Sequence, residues 1–161
     1  MTQLESFPTS MEGADGVEGR RRDGSRPVTD VYVDVGAASI GSGALWSPDP
    51  EAVRALRHLA DAGVRIVLVR SGVAEPGDAL RAVAAEVVRA VPDRPRGLSW
   101  YLASDIARCR GSSARLRTVL IGGAQPSGSV RRCDAHARDV QAAAMEILAA
   151  DAMAPHGGLT V

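Results

Sequence analysis

The sequence predicts an α/β protein, a three-layer α/β/α sandwich around a central parallel sheet. From residue 30 onward, short apolar runs rich in Val, Leu and Ile are separated by segments with helical periodicity. Such runs are typical of buried parallel strands, and helices between them indicate right-handed crossover connections. The 161 residues suffice for one domain with a substantial core. We expect strand order 3-2-1-4-5-like, with the first strand central.

The elements follow from these patterns in chain order. Strands are predicted at residues 31–35, 65–70, 98–104 and 117–121, and helices at 48–62, 77–90, 106–112 and 133–150. Ser47 is expected to cap the first helix, because serine is a favoured N-cap residue. Gly63 is expected to end that helix in the C′ position.

The segment 1–28 differs in composition from the rest of the chain. Its glycines are interleaved with acidic residues and the triplet Arg20-Arg21-Arg22, and few apolar residues offset the cost of ordering. The acids nearly cancel the triplet, which favours a solvated tail over a nucleic-acid-binding arm. We therefore expect a disordered tail at 1–28, one folded domain at 29–152 and a C-terminal tail at 153–161.

Composition excludes several classes of function. The formal net charge is zero, so nucleic acid is an unlikely partner, and no apolar stretch reaches the roughly 18 residues of a membrane span. All 19 basic residues are Arg, which excludes a lysine Schiff base. Cys109 and Cys133 form no CxxC pair or Cys/His cluster, so a structural zinc site is not expected. We expect two reduced, partly buried thiols in a cytoplasmic protein.

The most informative residue is Asp34, which ends the apolar run 31–35. A carboxylate at the end of a buried strand is costly unless it binds a metal, ligand or partner, and ligands bind at this end of open α/β sheets. Ser71 and Asp105 follow two later strands, so the three side chains are expected to meet in one pocket. Alternatives remain for each: a cap or loop role for Asp34, a cap or turn role for Ser71, and for Asp105 a cap on the helix that begins at Ile106.

Four segments together resemble the haloacid dehalogenase (HAD) superfamily over residues 30 to 150: VYVDVGAAS, PEAVRALRHLADAGVRIVLVRSG, WYLASDIARC and RLRTVLIGG. The resemblance implies a Rossmann-like sheet of the HAD type and a magnesium-dependent phosphohydrolase. It implies that Asp34 attacks phosphorus and forms an aspartyl-phosphate. The Mg²⁺ ligands would be Asp34, the backbone carbonyl of Gly36, and Asp105. Ser71 would bind a phosphate oxygen.

The chain also departs from the family pattern. Gly36 stands where the family has its general acid–base Asp, a role typically worth ~10²–10⁴-fold in rate. Ala37-Ala38 replaces the family's Gly-Thr pair, and Cys109 stands where a second carboxylate often sits, although Ser104 could bind metal-bound water. The family's phosphate-binding Lys can only be an arginine here, and the candidates in the right interval are Arg81, Arg89, Arg94 and Arg96.

These observations leave two main functional hypotheses. The first is a capless phosphohydrolase of weak or altered activity, since neither loop after the first two strands can hold a cap domain; an active enzyme would have an open site suited to a larger phosphorylated substrate. The second is a non-catalytic HAD-like binding or scaffold protein with an unknown protein partner. A less favoured third is an S-adenosylmethionine-dependent methyltransferase, suggested by the glycine-rich segment 34–41. The second strand, however, ends in Arg70-Ser71 instead of the acidic residue that such enzymes need.

Overall fold

The computed structural model describes residues 28–41, 46–70, 75–109, 115–122 and 133–153. The segments 1–27 and 154–161, which make up most of the two predicted tails, lie outside the described residues. Val28 is buried, and its amide donates a hydrogen bond to Asp151 Oδ1 (3.1 Å). The folded domain therefore includes residue 28. No helix in the described ranges is long and apolar enough to cross a membrane.

Six parallel strands form the central sheet of the described structure. They are β1 (Asp30–Asp34), β4 (Arg65–Val69), β5 (Glu86–Val88), β6 (Ser99–Ala103), β7 (Leu116–Ile121) and β8 (Ala135–Ala137). Two short strands, β2 (Ser39–Ile40) and β3 (Ser47–Pro48), form a separate antiparallel pair. The order in the sheet is β5-β4-β1-β6-β7-β8, so β1 is central and the predicted strand order is confirmed.

Side chains alternate between the two faces of the sheet. The first face carries apolar residues such as Val31, Val33 and Leu102, and helices α1 (Pro50–Asp61), α2 (Asp78–Val83) and α3 (Val140–Met153) pack against it. The second face carries Tyr32 and Tyr101 and is covered by short segments, including the 3-10 turn Ile106–Arg108. The three-layer α/β/α prediction is confirmed, with shorter described elements in the second outer layer.

The first predicted helix is correct, but its cap is a different residue. Ser47 lies in β3, and Asp49 is the N-cap, accepting a hydrogen bond from the Glu51 amide (3.0 Å). Pro50 then occupies the first helical position, where its missing N–H costs nothing. Gly63 follows the helix with φ +94°, as predicted for a C′ glycine.

Two predicted helices each contain a strand in the structure. Residues 77–90 form α2 followed by β5, and residues 133–150 form β8 followed by most of α3. The prediction of helix from apolar spacing was therefore wrong for the residues of β5 and β8. Both are short outermost strands, and their hydrogen bonds to β4 and β7 outweigh local helical preference. The helix predicted at 106–112 is a 3-10 turn, Ile106–Arg108, and residues 110–114 lie outside the described part.

Cys109 and Cys133 form a disulfide, which contradicts the expectation of two reduced thiols. Their Cα atoms are 5.1 Å apart although 24 positions separate them in sequence. Both residues are buried in the core of the second face. The pairing was missed because it joins two residues that lie on either side of β7 in the sequence and meet only in the folded core of this face.

Candidate functional site

The carboxylate of Asp34 is completely buried at the carboxyl end of β1. Its Oδ1 accepts a hydrogen bond from the Tyr101 hydroxyl (2.6 Å). Its Oδ2 accepts hydrogen bonds from the backbone amide (2.9 Å) and the hydroxyl (3.1 Å) of Ser104. Arg108 Nε forms an ion pair with the same oxygen at 3.1 Å. Asp34 is therefore the centre of a buried polar cluster.

Strand register places these partners around Asp34. Tyr101 is the register partner of Tyr32, so it lies on the second face, the same face as Asp34 two residues later. Ser104 follows directly after β6, and its hydroxyl and amide reach across to the end of β1. Arg108 is in the 3-10 turn that follows, and its side chain folds back over the strand ends.

Arg108 connects the ends of three neighbouring strands. Besides its ion pair with Asp34, its Nε donates to the Tyr101 hydroxyl (3.3 Å). Its Nη2 donates to the backbone carbonyl of Arg70, just after β4 (3.1 Å). The guanidinium thus lies between β4, β1 and β6, at the edge of the sheet where the sequence predicted a site.

The cluster favours neutral Tyr101 beside charged Arg108. Burial and the hydrogen bond to Asp34 raise the pKa of Tyr101 far above its usual value of 10.0. The hydrogen bond with Tyr101 raises the pKa of Arg108, the nearby charge of Asp34 adds to this, and burial opposes it. Tyr101 therefore remains a proton donor to Asp34, and the positive charge of Arg108 balances the carboxylate.

The other two predicted metal ligands, Asp105 and Gly36, lie just after β6 and β1. Asp105 follows β6, next to β1, so the prediction that Asp34 and Asp105 share one edge of the sheet is confirmed. Its side chain, however, is exposed and accepts a hydrogen bond from the Ala107 amide (3.0 Å), which is the capping alternative. Gly36 lies in a 3-10 turn, Val35–Ala38, directly after β1. Ser71 lies outside the described residues.

In this arrangement the donor set does not fit Mg²⁺. Three of the four contacts to the Asp34 carboxylate fall on Oδ2 and one on Oδ1, and the whole residue is buried. A cation placed about 4 Å from the Arg108 guanidinium would face a repulsion of roughly 4 kcal/mol per unit charge at an effective dielectric of about 20. In the described ranges, no group of three or more His, Cys, Asp or Glu side chains could hold a metal.

None of the arginines proposed to bind phosphate contacts Asp34 in the described structure. Arg81 is bound to Glu75 Oε2 (3.0 Å) and to the backbone carbonyl of Pro76 (3.1 Å). Arg89 is exposed. Arg94 and Arg96 line a pocket with Asp30, at the opposite end of β1 from Asp34.

Besides Ser104, two residues bind the Asp34 carboxylate, Tyr101 and Arg108, and neither was among the candidate site residues predicted from the sequence. Alternation along β6 could have identified Tyr101, because every second residue of two adjacent strands faces the same side. Nothing in the sequence pointed to Arg108, whose position depends on the path of the turn. Both side chains also line a pocket of about 230 Å³ together with Val69, Val91 and Leu116.

Comparisons with known proteins identify the fold. No family model matches the sequence, and a search of curated protein sequences gives no significant match. Similar solved structures include a D,D-heptose 1,7-bisphosphate phosphatase from B. bronchiseptica complexed with magnesium and phosphate (TM-score 0.53, 14% identity, covering 76% of this chain and 99% of that one).

Two further solved structures have a similar fold. The enzyme of the same name from Burkholderia thailandensis has a TM-score of 0.51 at 17% identity, covering 74% of this chain and 98% of that one. A hypothetical protein from Xanthomonas campestris has a TM-score of 0.53 at 13% identity, covering 92% and 94%. The named phosphatases are HAD members. At these identities the similarity concerns the fold, and this chain has the fold of the HAD-like superfamily.

Proposed function

We propose that this chain is a non-catalytic HAD-like binding domain in which Asp34 holds the strand ends together. One observation carries the proposal: the Asp34 carboxylate is completely buried, and both its oxygens are bound by Tyr101, Ser104 and Arg108. A nucleophile needs an exposed lone pair aimed at its substrate. The Asp34 carboxylate is fully buried, so it presents no lone pair to solvent.

Two other features support the same proposal. Arg108 contributes the positive charge that a metal ion would otherwise bring to Asp34, so the buried carboxylate is neutralised without a cofactor. Gly36 occupies the position of the superfamily's acid–base residue and has no proton to transfer. Under this proposal Asp34 stands where the resemblance implies the HAD nucleophile, but it lacks the solvent access and the neighbouring proton donor that a nucleophile needs.

The test compares metal binding and turnover in four full-length proteins: wild type, Asp34→Asn, Arg108→Ala and the control Arg57→Ala. Arg57 is exposed on α1, across the sheet from Asp34, so its removal deletes one positive charge away from the cluster. Mg²⁺ binding is measured by calorimetry and turnover with p-nitrophenyl phosphate. We expect wild type and Arg57→Ala to show neither saturable Mg²⁺ binding nor turnover above Asp34→Asn.

Arg108→Ala distinguishes the roles of the two charged groups. Removing the guanidinium exposes an uncompensated carboxylate, so Mg²⁺ binding should appear in this variant and disappear in Arg108→Ala/Asp34→Asn. Turnover of p-nitrophenyl phosphate by the wild type that is lost in Asp34→Asn would contradict the proposal.

The second candidate is a phosphohydrolase of weak or altered activity on a phosphorylated substrate. It is favoured by the position of Asp34 and Asp105 at neighbouring strand ends. It is also favoured by the 32% exposure of the Arg108 side chain, because a partly exposed side chain can move into solvent and leave Asp34 open to a substrate. Under this candidate, Gly36→Asp should raise turnover of alkyl phosphates more than that of p-nitrophenyl phosphate, because only the alkyl leaving group needs a proton. The gain would be at most the ~10²–10⁴-fold typical of general acid–base catalysis. An equal effect on both substrates would count against this candidate.

A further inference from the structure

A second pocket, of about 270 Å³, lies on the same face of the sheet as Asp34 but near the amino ends of the strands. Asp30, Arg65 and Glu86, the first residues of β1, β4 and β5, line it together with Tyr32. Asp30 and Asp34 are four residues apart in one strand, which corresponds to about 13 Å at ~3.3 Å per residue. The pocket is therefore separate from the Asp34 cluster.

The side chain of Asp30 is buried without full compensation. The residue is 4% exposed, and its Oδ2 has no hydrogen-bond partner among the described residues. Arg65 Nη1 forms an ion pair with this oxygen at 3.8 Å, beyond hydrogen-bond distance, while Arg65 Nη2 is bound to Glu86 Oε2 at 2.5 Å. A buried acceptor without a donor is unfavourable, so the wall of this pocket carries a group that a ligand's donor would satisfy.

Two arginines lie at the mouth of the pocket. Arg94 and Arg96 are exposed, and neither forms an ion pair within the described ranges. Their segment is held close to the sheet by Gly97, where an added Cβ would lie 2.7 Å from Thr29 Oγ1. The Thr29 amide also donates to the Leu98 carbonyl (2.9 Å). The backbone that follows the two arginines is thus fixed beside Thr29, next to the first residue of β1.

The pocket therefore combines one buried carboxylate oxygen that lacks a hydrogen-bond donor with two arginines that form no ion pair among the described residues. Arginine binds phosphate and carboxylate groups through its planar set of N–H donors, and a carboxylate prefers an ammonium or other charged donor. Tyr32 also lines the pocket. Burial and, to a smaller extent, the charge of Asp30 raise the pKa of Tyr32, so its hydroxyl stays neutral. A ligand matching the pocket carries a cationic donor at one end and an anion at the other.

We propose that this pocket binds a small aminoalkyl phosphate, with its ammonium group toward Asp30 and its phosphate between Arg94 and Arg96. The volume is slightly below the roughly 300–1,000 Å³ of ordinary small-molecule sites, which limits the ligand to a few carbon atoms between the two charged groups. The site is independent of the Asp34 cluster and requires no chemistry there.

The test measures binding of three probes to the full-length chain by calorimetry: O-phosphoethanolamine, glycerol 3-phosphate and inorganic phosphate. The variants are Asp30→Asn and Arg94→Gln/Arg96→Gln. The matched control is Arg54→Gln/Arg57→Gln, which removes two exposed charges from α1 on the other face. We expect O-phosphoethanolamine to bind the wild type and the control equally, and at least 10-fold more tightly than either other probe.

The variants separate the two ends of the ligand. Arg94→Gln/Arg96→Gln should weaken binding of all three probes at least 10-fold. Asp30→Asn should weaken O-phosphoethanolamine at least 10-fold and change inorganic phosphate less than threefold. Asp30→Asn should also melt no lower than the wild type, because the substitution removes a buried charge whose Oδ2 has no hydrogen-bond donor among the described residues and only a long ion pair to Arg65. No saturable binding of O-phosphoethanolamine at millimolar concentration, or equal losses in the α1 control, would overturn the proposal.

Discussion

Arg108 Nε lies 3.1 Å from Asp34 Oδ2, so a guanidinium is paired with the carboxylate for which the HAD resemblance implies a role as metal ligand. The same guanidinium donates to the carbonyl of Arg70 after β4 and to the hydroxyl of Tyr101 in β6. An ion pair of this kind neutralises a buried charge and also holds three strand ends in one arrangement.

Tyr101→Phe should lower the free energy of unfolding by about 1–3 kcal/mol, because it leaves a buried oxygen of Asp34 without its 2.6 Å donor. The measurement is urea denaturation at pH 7. The matched control is Tyr32→Phe at the register position beside Tyr101, since the Tyr32 hydroxyl makes no hydrogen bond within the described part of the chain. Equal losses in the two variants would show that the bond to Asp34 adds no stability.

Stability should fall as the pH rises above about 10. The chain has two tyrosines, and burial raises the pKa of both above the usual 10.0. A raised pKa means that the folded state holds protons that the unfolded state releases, so the contribution is complete below pH 10 and is lost at higher pH, by up to about 1.4 kcal/mol per pH unit for each group.

Two measurements check the alkaline prediction. Tyrosinate absorbance near 295 nm should rise together with unfolding and not before it, because both hydroxyls stay protonated in the folded protein. Tyr101→Phe should reduce the slope of stability against pH above 10. A native protein that shows full tyrosinate absorbance at pH 11 would refute the prediction.

Reducing the disulfide should destabilise the domain by roughly 3 kcal/mol. Cys109 and Cys133 are 24 positions apart, and a bond closing a loop of this length restricts the unfolded chain by about that amount. The measurement is denaturant unfolding with and without reductant. Cys109→Ser/Cys133→Ser is the control: it should match the reduced wild type and should not respond to reductant.

Asp139→Ala should cost about 1 kcal/mol at pH 7. Asp139 precedes α3, and its Oδ1 accepts a hydrogen bond from the Ala142 amide at 2.7 Å, the bond of an N-cap. That bond lowers the pKa of Asp139 below 3.8. The charged cap therefore stabilises the fold above pH 3.8, and its contribution is lost as the pH falls through the lowered value.

Asp139→Asn is the matched variant for this helix. The amide oxygen preserves the capping bond but does not titrate, so Asp139→Asn should stay close to the wild type at pH 7 and should lose its acid-dependent component. If Asp139→Asn and Asp139→Ala are equally destabilised, the capping bond is not the source of the effect.

The sequence by itself determined the parts of this protein that depend on local pattern. The central strand, its two neighbours and the β7 strand are apolar runs long enough to be recognised alone, and their alternation with helices implies a parallel sheet with Asp34 at its carboxyl edge. The role of Gly63 as the residue that ends the first helix was also predictable, because the positive φ after a helix favours glycine. These features require no knowledge of distant residues.

The tertiary structure decided the rest, because the remaining features depend on groups that are distant in sequence. The outermost strands β5 and β8 have three residues each and exist through their pairing with β4 and β7. The disulfide forms because Cys109 and Cys133 are brought together in the core of the second face. The sequence predicted a site at Asp34, but only the folded chain brings Tyr101, Ser104 and Arg108 into contact with its carboxylate. A buried charge needs hydrogen-bond donors, and which residues supply them depends on how the chain folds around it.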